Sequence, residues 1–206
     1  RDAHIISKVI STGGLNHARD VVNFIDRALK KSRLKLANLD GFSLVIGPGS
    51  FTGLRIGVTL VKGLSYISKK PAVALSSLDA LSRNIKAFDG EVCPIIDAKR
   101  SLVYSAIYEI KKGKARRKSE YLLISVNNLL KRLKSRSLFL GDGIFLYRDE
   151  ILKIKPLSEF APEELYLPKI ENIAIMGYEK FKNRDFEDIF KLKPLYLYPK
   201  FCSIKK

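Results

Sequence analysis

Residues 46–57 read I-G-P-G-S-F-T-G-L-R-I-G, the stretch of this chain whose residue types best suit an anion. An apolar run at 42–46 leads in and a longer one at 54–67 leads out, the pattern of a buried strand, a tight turn and a helix. A helix start offers unpaired N–H groups and the positive end of a dipole, which together can hold phosphate. Gly47 and Gly49 suit a positive φ or the close approach of another group, Pro48 fixes one angle between them, and Ser50 or Thr52 can cap the free amides. The nucleotide-binding spacing of Gly, four residues and Gly-Lys-Ser/Thr is not met. Gly53 is followed by Leu54 and Arg55, so no lysine stands where the β- and γ-phosphates would lie. The dinucleotide spacing G-x-G-x-x-G fails as well, because its third glycine would fall on Thr52. The stretch is therefore read as a turn and helix cap without a ligand.

The remaining chemistry is sparse. The chain has two histidines; His17 has Val21 four residues on, and His4 lies on an expected strand, so no zinc or iron site can be built from a histidine pair. Ser50 has no identifiable histidine base, which removes a nucleophile triad. Cys93 and Cys202 have no metal-like spacing and read as free thiols of a reducing cytoplasm. Asp97, ending an apolar run, and Asp142, inside Gly-Asp-Gly, are the polar residues left, and the second is ordinary turn chemistry. No catalytic residue, metal or cofactor is expected.

Composition bounds the partners. The 206 residues suffice for one large domain or two small ones, and 46% apolar content supports a core. No apolar stretch reaches the ~18 residues of a membrane span, and no secretory leader opens the sequence. The formal charge of +17 can be an electrostatic footprint for nucleic acid or a lysine-rich solvated surface. Basic residues cluster at 111–118 and 131–136, without the interleaved aromatics of a stacking platform. Lys131, Arg132 and Lys134 are expected to lend a polyanion only weak, salt-sensitive help.

The elements that must position these residues follow from periodicity. Residues 4–11 are expected as a strand and 12–14 as a turn. A helix over 16–32 opens at Asn16 and carries Val21, Val22, Phe24, Ile25, Ala28 and Leu29; a strand over 42–46 follows. The next helix, 52–68, is apolar on two faces: Leu54, Val58 and Val61 on one, Leu60, Leu64 and Ile67 on the other, with Gly53, Gly57 and Gly63 as small surfaces. Two apolar faces need two partners, the domain's own sheet and either the first helix or another protein. A strand over 72–75 and a short helix capped by Ser77 complete a first subdomain, 1–88. The second, 89–206, is expected as a three-strand meander at 92–96, 102–110 and 119–124 with a basic turn at 111–114. A helix over 127–134, a strand over 137–140, a short helix, an extended piece at 152–157, a helix over 169–183 and a last extended piece at 194–197 follow. The two halves match if the first lacks its opening β-hairpin, so the chain is read as N-terminally shortened, a ribonuclease H-like pair of related subdomains.

The string G-P-G-S-F-T-G-L-R-I-G resembles the signature of the TsaB (YeaZ) family. The likeness extends to Leu39-Asp40, Ser76-Ser77-Leu78, Pro94-Ile95-Ile96-Asp97-Ala98 with Tyr104 and Tyr108, Gly141-Asp142-Gly143, and the run from Lys193 through Tyr198-Pro199. Two departures stand out: the family's opening Asp-Thr-Ser strand is absent, and Tyr198-Pro199 stands where the family has Arg-Pro. The resemblance implies an α/β, actin/Hsp70-like fold without its own ATPase chemistry. It further implies a cytoplasmic, non-catalytic scaffold in tRNA threonylcarbamoyladenosine formation, paired with the catalytic subunit TsaD, with the ATPase TsaE docking on the pair and tRNA reached through the complex. The family signature loop is Gly47, Pro48, Gly49, Ser50, Phe51, Thr52, Gly53, Arg55 and Gly57. The expected partner interface is Val21, Val22, Phe24 and Ile25 on the first helix with Leu60, Val61, Leu64 and Ile67 on the second, and a homodimer is expected when the chain is alone. The alternative is a small-molecule kinase or ATPase of the same fold.

Overall fold

The computed structural model describes residues 4–10 and 17–198. Its elements are α1 (His17–Ser32), β1 (Phe42–Gly47), α2 (Phe51–Ser68), β2 (Ala72–Ser76), α3 (Ser77–Ser82), β3 (Glu91–Asp97), β4 (Val103–Ser105), β5 (Tyr108–Lys111) and β6 (Lys114–Arg117). There follow β7 (Leu122–Ile124), α4 (Val126–Leu130), β8 (Ser137–Leu140), α5 (Ile144–Ile154), β9 (Glu159–Phe160) and α6 (Ile170–Lys182). The strand expected over 4–11 is not formed across 4–10. Ile6 and Ile10 are exposed there, while Ser7 and Val9 on the alternate side are half-buried. Asn16, the turn at 12–14 and Cys202 lie outside the described residues.

The chain divides into two compact units, one of Arg1–Ile46, Ser50–Leu75 and Ile173–Pro194, the other of Gly47–Gly49, Ser76–Asn172 and Leu195–Lys206. The division expected after residue 88 differs from these in three places, the first being Gly47–Gly49, which falls in the second unit. Residues 76–88 belong with the second unit because α3 packs on β3, and 173–194 return to the first.

In the first unit Phe42 N–H donates to Pro71 O at 2.9 Å, so β1 and β2 begin at the same end and α2 is the crossover between them. Leu44, Val58, Ala74 and Leu192 form the core, with Ile46 and Val61 packed against it. α6 lies close over β1: a Cβ on Gly177 would stand 2.3 Å from Ser43 Oγ. Both long helices end on a basic residue in the left-handed region, Arg33 (φ 59) after α1 and Lys69 (φ 54) after α2. The next amides close back, Leu34 N–H onto Leu29 O at 3.0 Å and Lys70 N–H onto Ser65 O at 3.2 Å.

The second unit is built on β3. Parallel β8 and then β9 lie on one side of it; antiparallel β4 and β5 lie on the other. The register of β4 and β5 along β3 is continuous, Ile95↔Ser105 running on to Val92↔Tyr108, so the expected strand over 102–110 is one strand interrupted at 106–107. The break faces Pro94, which has no N–H to give to that side. β6 pairs with β5 and β7 with β4, completing the meander. The expected 111–114 turn is tighter than drawn: Lys112 (φ 50) and Gly113 (φ 72) alone form a two-residue turn with both φ positive, and residue 114 already belongs to β6. The expected extended piece at 152–157 starts as helix, because Ile151 is fully buried and holds the last turn of α5. Residues 194–197 carry no strand.

Buried polar groups tie this unit together. Asn84 donates to Leu165 O (2.9 Å) and Leu167 O (2.8 Å) and accepts from Asn172 Nδ2 (2.8 Å) and Lys169 N–H (3.3 Å), so its amide is fully used. Asp79 on α3 accepts from Tyr108 Oη at 2.7 Å and Tyr121 Oη at 2.6 Å, fastening the helix to the sheet.

Candidate functional site

The signature loop makes the turn and cap that its residues suggest. Gly47 takes φ 112, and the Gly47–Pro48 bond is cis. Gly49 differs from expectation: it has no positive φ, and a Cβ there would meet nothing within 4 Å. Ser50 caps α2, its Oγ accepting Gly53 N–H at 3.4 Å and its carbonyl accepting Leu54 N–H at 2.9 Å. Two amides that could face an anion are thereby engaged within the loop itself. Thr52 is inside the helix, and Arg55 lies 3.7 Å over the Phe51 ring on the exposed surface.

α2 is the unusual element. Of its 18 residues only Val58 and Ser65 are buried. Leu54, Val58, Val61 and Ser65 recur at helical spacing and turn toward the core of the first unit, so Val61, expected at a partner interface, instead packs inward beside Val58 and Ile46. Gly53, Gly57, Leu60, Leu64 and Ile67 fall on a neighbouring face, about 110° round the helix. Leu60 and Leu64 are half-buried, Ile67 is 76% exposed, and a Cβ on Gly57 would meet nothing within 4 Å. α1 runs beside α2. Its Val21, Phe24 and Ile25 are half-buried, and Val22 is 56% exposed.

In the second unit β3 and β8 run parallel and end together, which brings Asp97 and Asp142 into contact. Asp142 Oδ1 accepts the Asp97 N–H at 3.1 Å. The carboxylate of Asp97 accepts Lys99 N–H at 2.9 Å and pairs with Lys99 Nζ at 2.6 Å. Burial alone would raise the Asp97 pKa, but the hydrogen bonds and charge of Lys99 outweigh it and hold the carboxyl below its usual range. Asp142 shifts the other way: although the residue keeps an exposed surface, desolvation of its carboxyl raises it, with the Asp97 charge adding to the rise. Lys99 thus occupies the position a cation would take beside Asp97. The turn that carries it is strained, since Lys99, Arg100 and Ser101 all have positive φ (65, 54 and 57). Burial raises the Cys93 thiol, so it is inert in place. Among the described residues no group of three or more His, Cys, Asp or Glu could hold a metal ion, and no described helix is long and apolar enough to cross a membrane.

Compared with known proteins, the chain is 30% identical over 203 residues to the tRNA threonylcarbamoyladenosine biosynthesis protein TsaB of Bacillus subtilis (strain 168), covering 96% of this chain and 86% of that protein. This chain belongs to the TsaB (YeaZ) family. A family model described as "TsaD: tRNA N6-adenosine threonylcarbamoyltransferase" matches residues 5–203. Likeness to an individual transferase is local: the tRNA N6-adenosine threonylcarbamoyltransferase of Persephonella marina is 31% identical over 64 residues, 31% of this chain and 19% of that protein. The solved structure of YeaZ from Pseudomonas aeruginosa superposes with a TM-score of 0.76 at 20% identity, covering 90% of this chain and 87% of that one. The fold is the α/β, actin/Hsp70-like one that the resemblance implies.

Sequence reasoning missed Asp79, Tyr108 and Tyr121 as a cluster. Their separations of 29 and 42 residues leave no local pattern to read.

Proposed function

We propose that the chain is the non-catalytic TsaB subunit of a tRNA threonylcarbamoyladenosine complex in the cytoplasm, and that its task is to bind and support a threonylcarbamoyltransferase of the TsaD type. The observation that carries this reading is α2: a long, mostly apolar helix with one face on its own core and a second apolar face, Gly53-Gly57-Leu60-Leu64-Ile67, that is only partly covered, Leu60 and Leu64 being half-buried and Ile67 exposed. An apolar face of that kind marks a protein partner. The end-to-end likeness to TsaB supports it, and the capped loop and the Lys99-neutralised Asp97 give a nucleotide kinase no obvious foothold. TsaE and tRNA join through the complex, and the free chain pairs with itself through the same helices. Copurification with the transferase of the same organism tests the reading. A 1:1 complex is expected, with no ATP hydrolysis by the isolated chain; an isolated chain that hydrolyses ATP and ignores the transferase would favour the kinase reading.

Gly57 sharpens the test. In the isolated chain Gly57→Ala relieves the entropic cost of a helical glycine, about 1 kcal/mol, and has open space around it. The variant is expected to melt higher alone and to bind the transferase more weakly, because close helix approach is lost. A calorimetric melt and a titration read the two effects, and a gain in both would remove Gly57 from the interface.

A further inference from the structure

The β5–β6 hairpin carries an unbalanced charge. Its register pairs Glu109 with Arg116 and Lys111 with Lys114, which sets these four on one face; Tyr108, Ile110 and Ala115 turn the other way into the core of the second unit. Lys118 continues the basic face, since its N–H donates to Ile107 O at 2.7 Å and extends the ladder. The one acid, Glu109, is shared by Lys111 at 3.2 Å and Lys118 at 3.6 Å. Lys112 at the turn, Lys114 and Arg116 are exposed, and none has an ion-pair partner among the described residues. β6 is the edge of the sheet on that side. Lysine on an edge strand guards against strand addition, but a charge or two suffices for that. Here the charge runs through the turn and over both strands.

We propose that this hairpin face is where the chain meets the phosphate backbone of tRNA, an inference that rests on the functional reading above. Same-face positions stand about 5–7 Å apart on such a ladder, so the cations form separated point charges suited to several phosphates of one polyanion rather than to one enclosed ion. An anionic membrane fits less well. Between Lys111 and Lys118 the uncharged residues are Gly113 and Ala115, and Ala115 faces inward, so nothing apolar is offered to a bilayer. Phosphate contacts of this kind add affinity without sequence preference and fade with salt.

The test uses the assembled complex of the chain with its transferase and a tRNA transcript carrying the target adenosine. Lys112→Gln, Lys114→Gln and Arg116→Gln together are expected to leave assembly and melting unchanged, weaken tRNA binding about tenfold at low salt, and flatten the plot of log affinity against log salt by about 2. A matched loss of charge at Lys153, Lys169 and Lys193 is expected to leave the slope as it was. Should the triple variant melt early, Lys112→Gln and Arg116→Gln are read singly, each expected to flatten the slope by about 0.7–0.9. An unchanged slope in a normally assembled complex overturns the hairpin site and leaves the functional reading standing. So does an equal loss from the matched set, or loss of binding to phosphatidylserine vesicles with tRNA binding intact. Failure of the wild-type chain to assemble with the transferase overturns that reading and this inference with it.

Discussion

Leu64→Asp is expected to leave the isolated chain folded and to abolish its pairing with the threonylcarbamoyltransferase. Leu64 is half-buried about 120° round α2 from Val58, and next to it in sequence Ser65 is buried against the first unit. A carboxylate in an apolar interface, desolvated and without a partner, costs about 3 kcal/mol or more, which is over a hundredfold in affinity. Ile67→Asp, at a position already 76% exposed, repeats the test where folding is safest. Val58→Asp is the contrast, since it places the same charge in the core and should unfold the unit. Circular dichroism separates unfolding from loss of pairing, and size-exclusion chromatography with light scattering reads the pairing. If Leu64→Asp and Ile67→Asp both fold and both coelute with the transferase at wild-type affinity, the partner surface is elsewhere.

Gly141→Ala is expected to destabilise the second unit by about 4 kcal/mol or more, enough to leave the chain insoluble. Gly141 ends β8 with φ 110, a conformation that side chains rarely adopt, and an added Cβ would stand 2.3 Å from Ile95 O. That oxygen belongs to the backbone of the central strand and already accepts Gly143 N–H at 3.1 Å, so no rotamer change relieves the contact. Ile95 is itself fully buried, and the strand cannot step aside. A thermal melt of the refolded variant measures the loss; a melting temperature within a few degrees of wild type would contradict the argument.

Local rules were enough where a segment's partners lie nearby. The extent of α2 and its Ser50 cap were legible because apolar periodicity and cap chemistry sit within one turn of each other. β8 was legible as residues 137–140, a short apolar run bounded by polar residues and glycine. β6 was not, because K-A-R-R offers a single apolar residue and its strand character comes from pairing with β5. The paired aspartates were visible as candidates, but not that Lys99 sits on one of them, since the left-handed turn at 99–101 decides it. The strand expected at 4–11 shows the converse: alternation without a neighbouring strand yields no ladder. The division of the chain was least legible, for the return of 173–194 to the first unit depends on Leu192 reaching Leu44, Val58 and Ala74.

That return has a bearing on how the protein is born. The second unit takes nearly all its residues from one continuous stretch, Ser76–Asn172, and can close as soon as that stretch has left the ribosome. The first unit begins to emerge earlier yet finishes later, because Leu192 and α6 follow roughly a hundred residues after Leu75. At about 5–20 residues per second that is on the order of ten seconds. For that interval α2 rests on Leu44 and Ala74 of the sheet, the core lacks Leu192, and the side of β1 that α6 covers stays open. The usual order of domain maturation is inverted: the unit that starts first closes last.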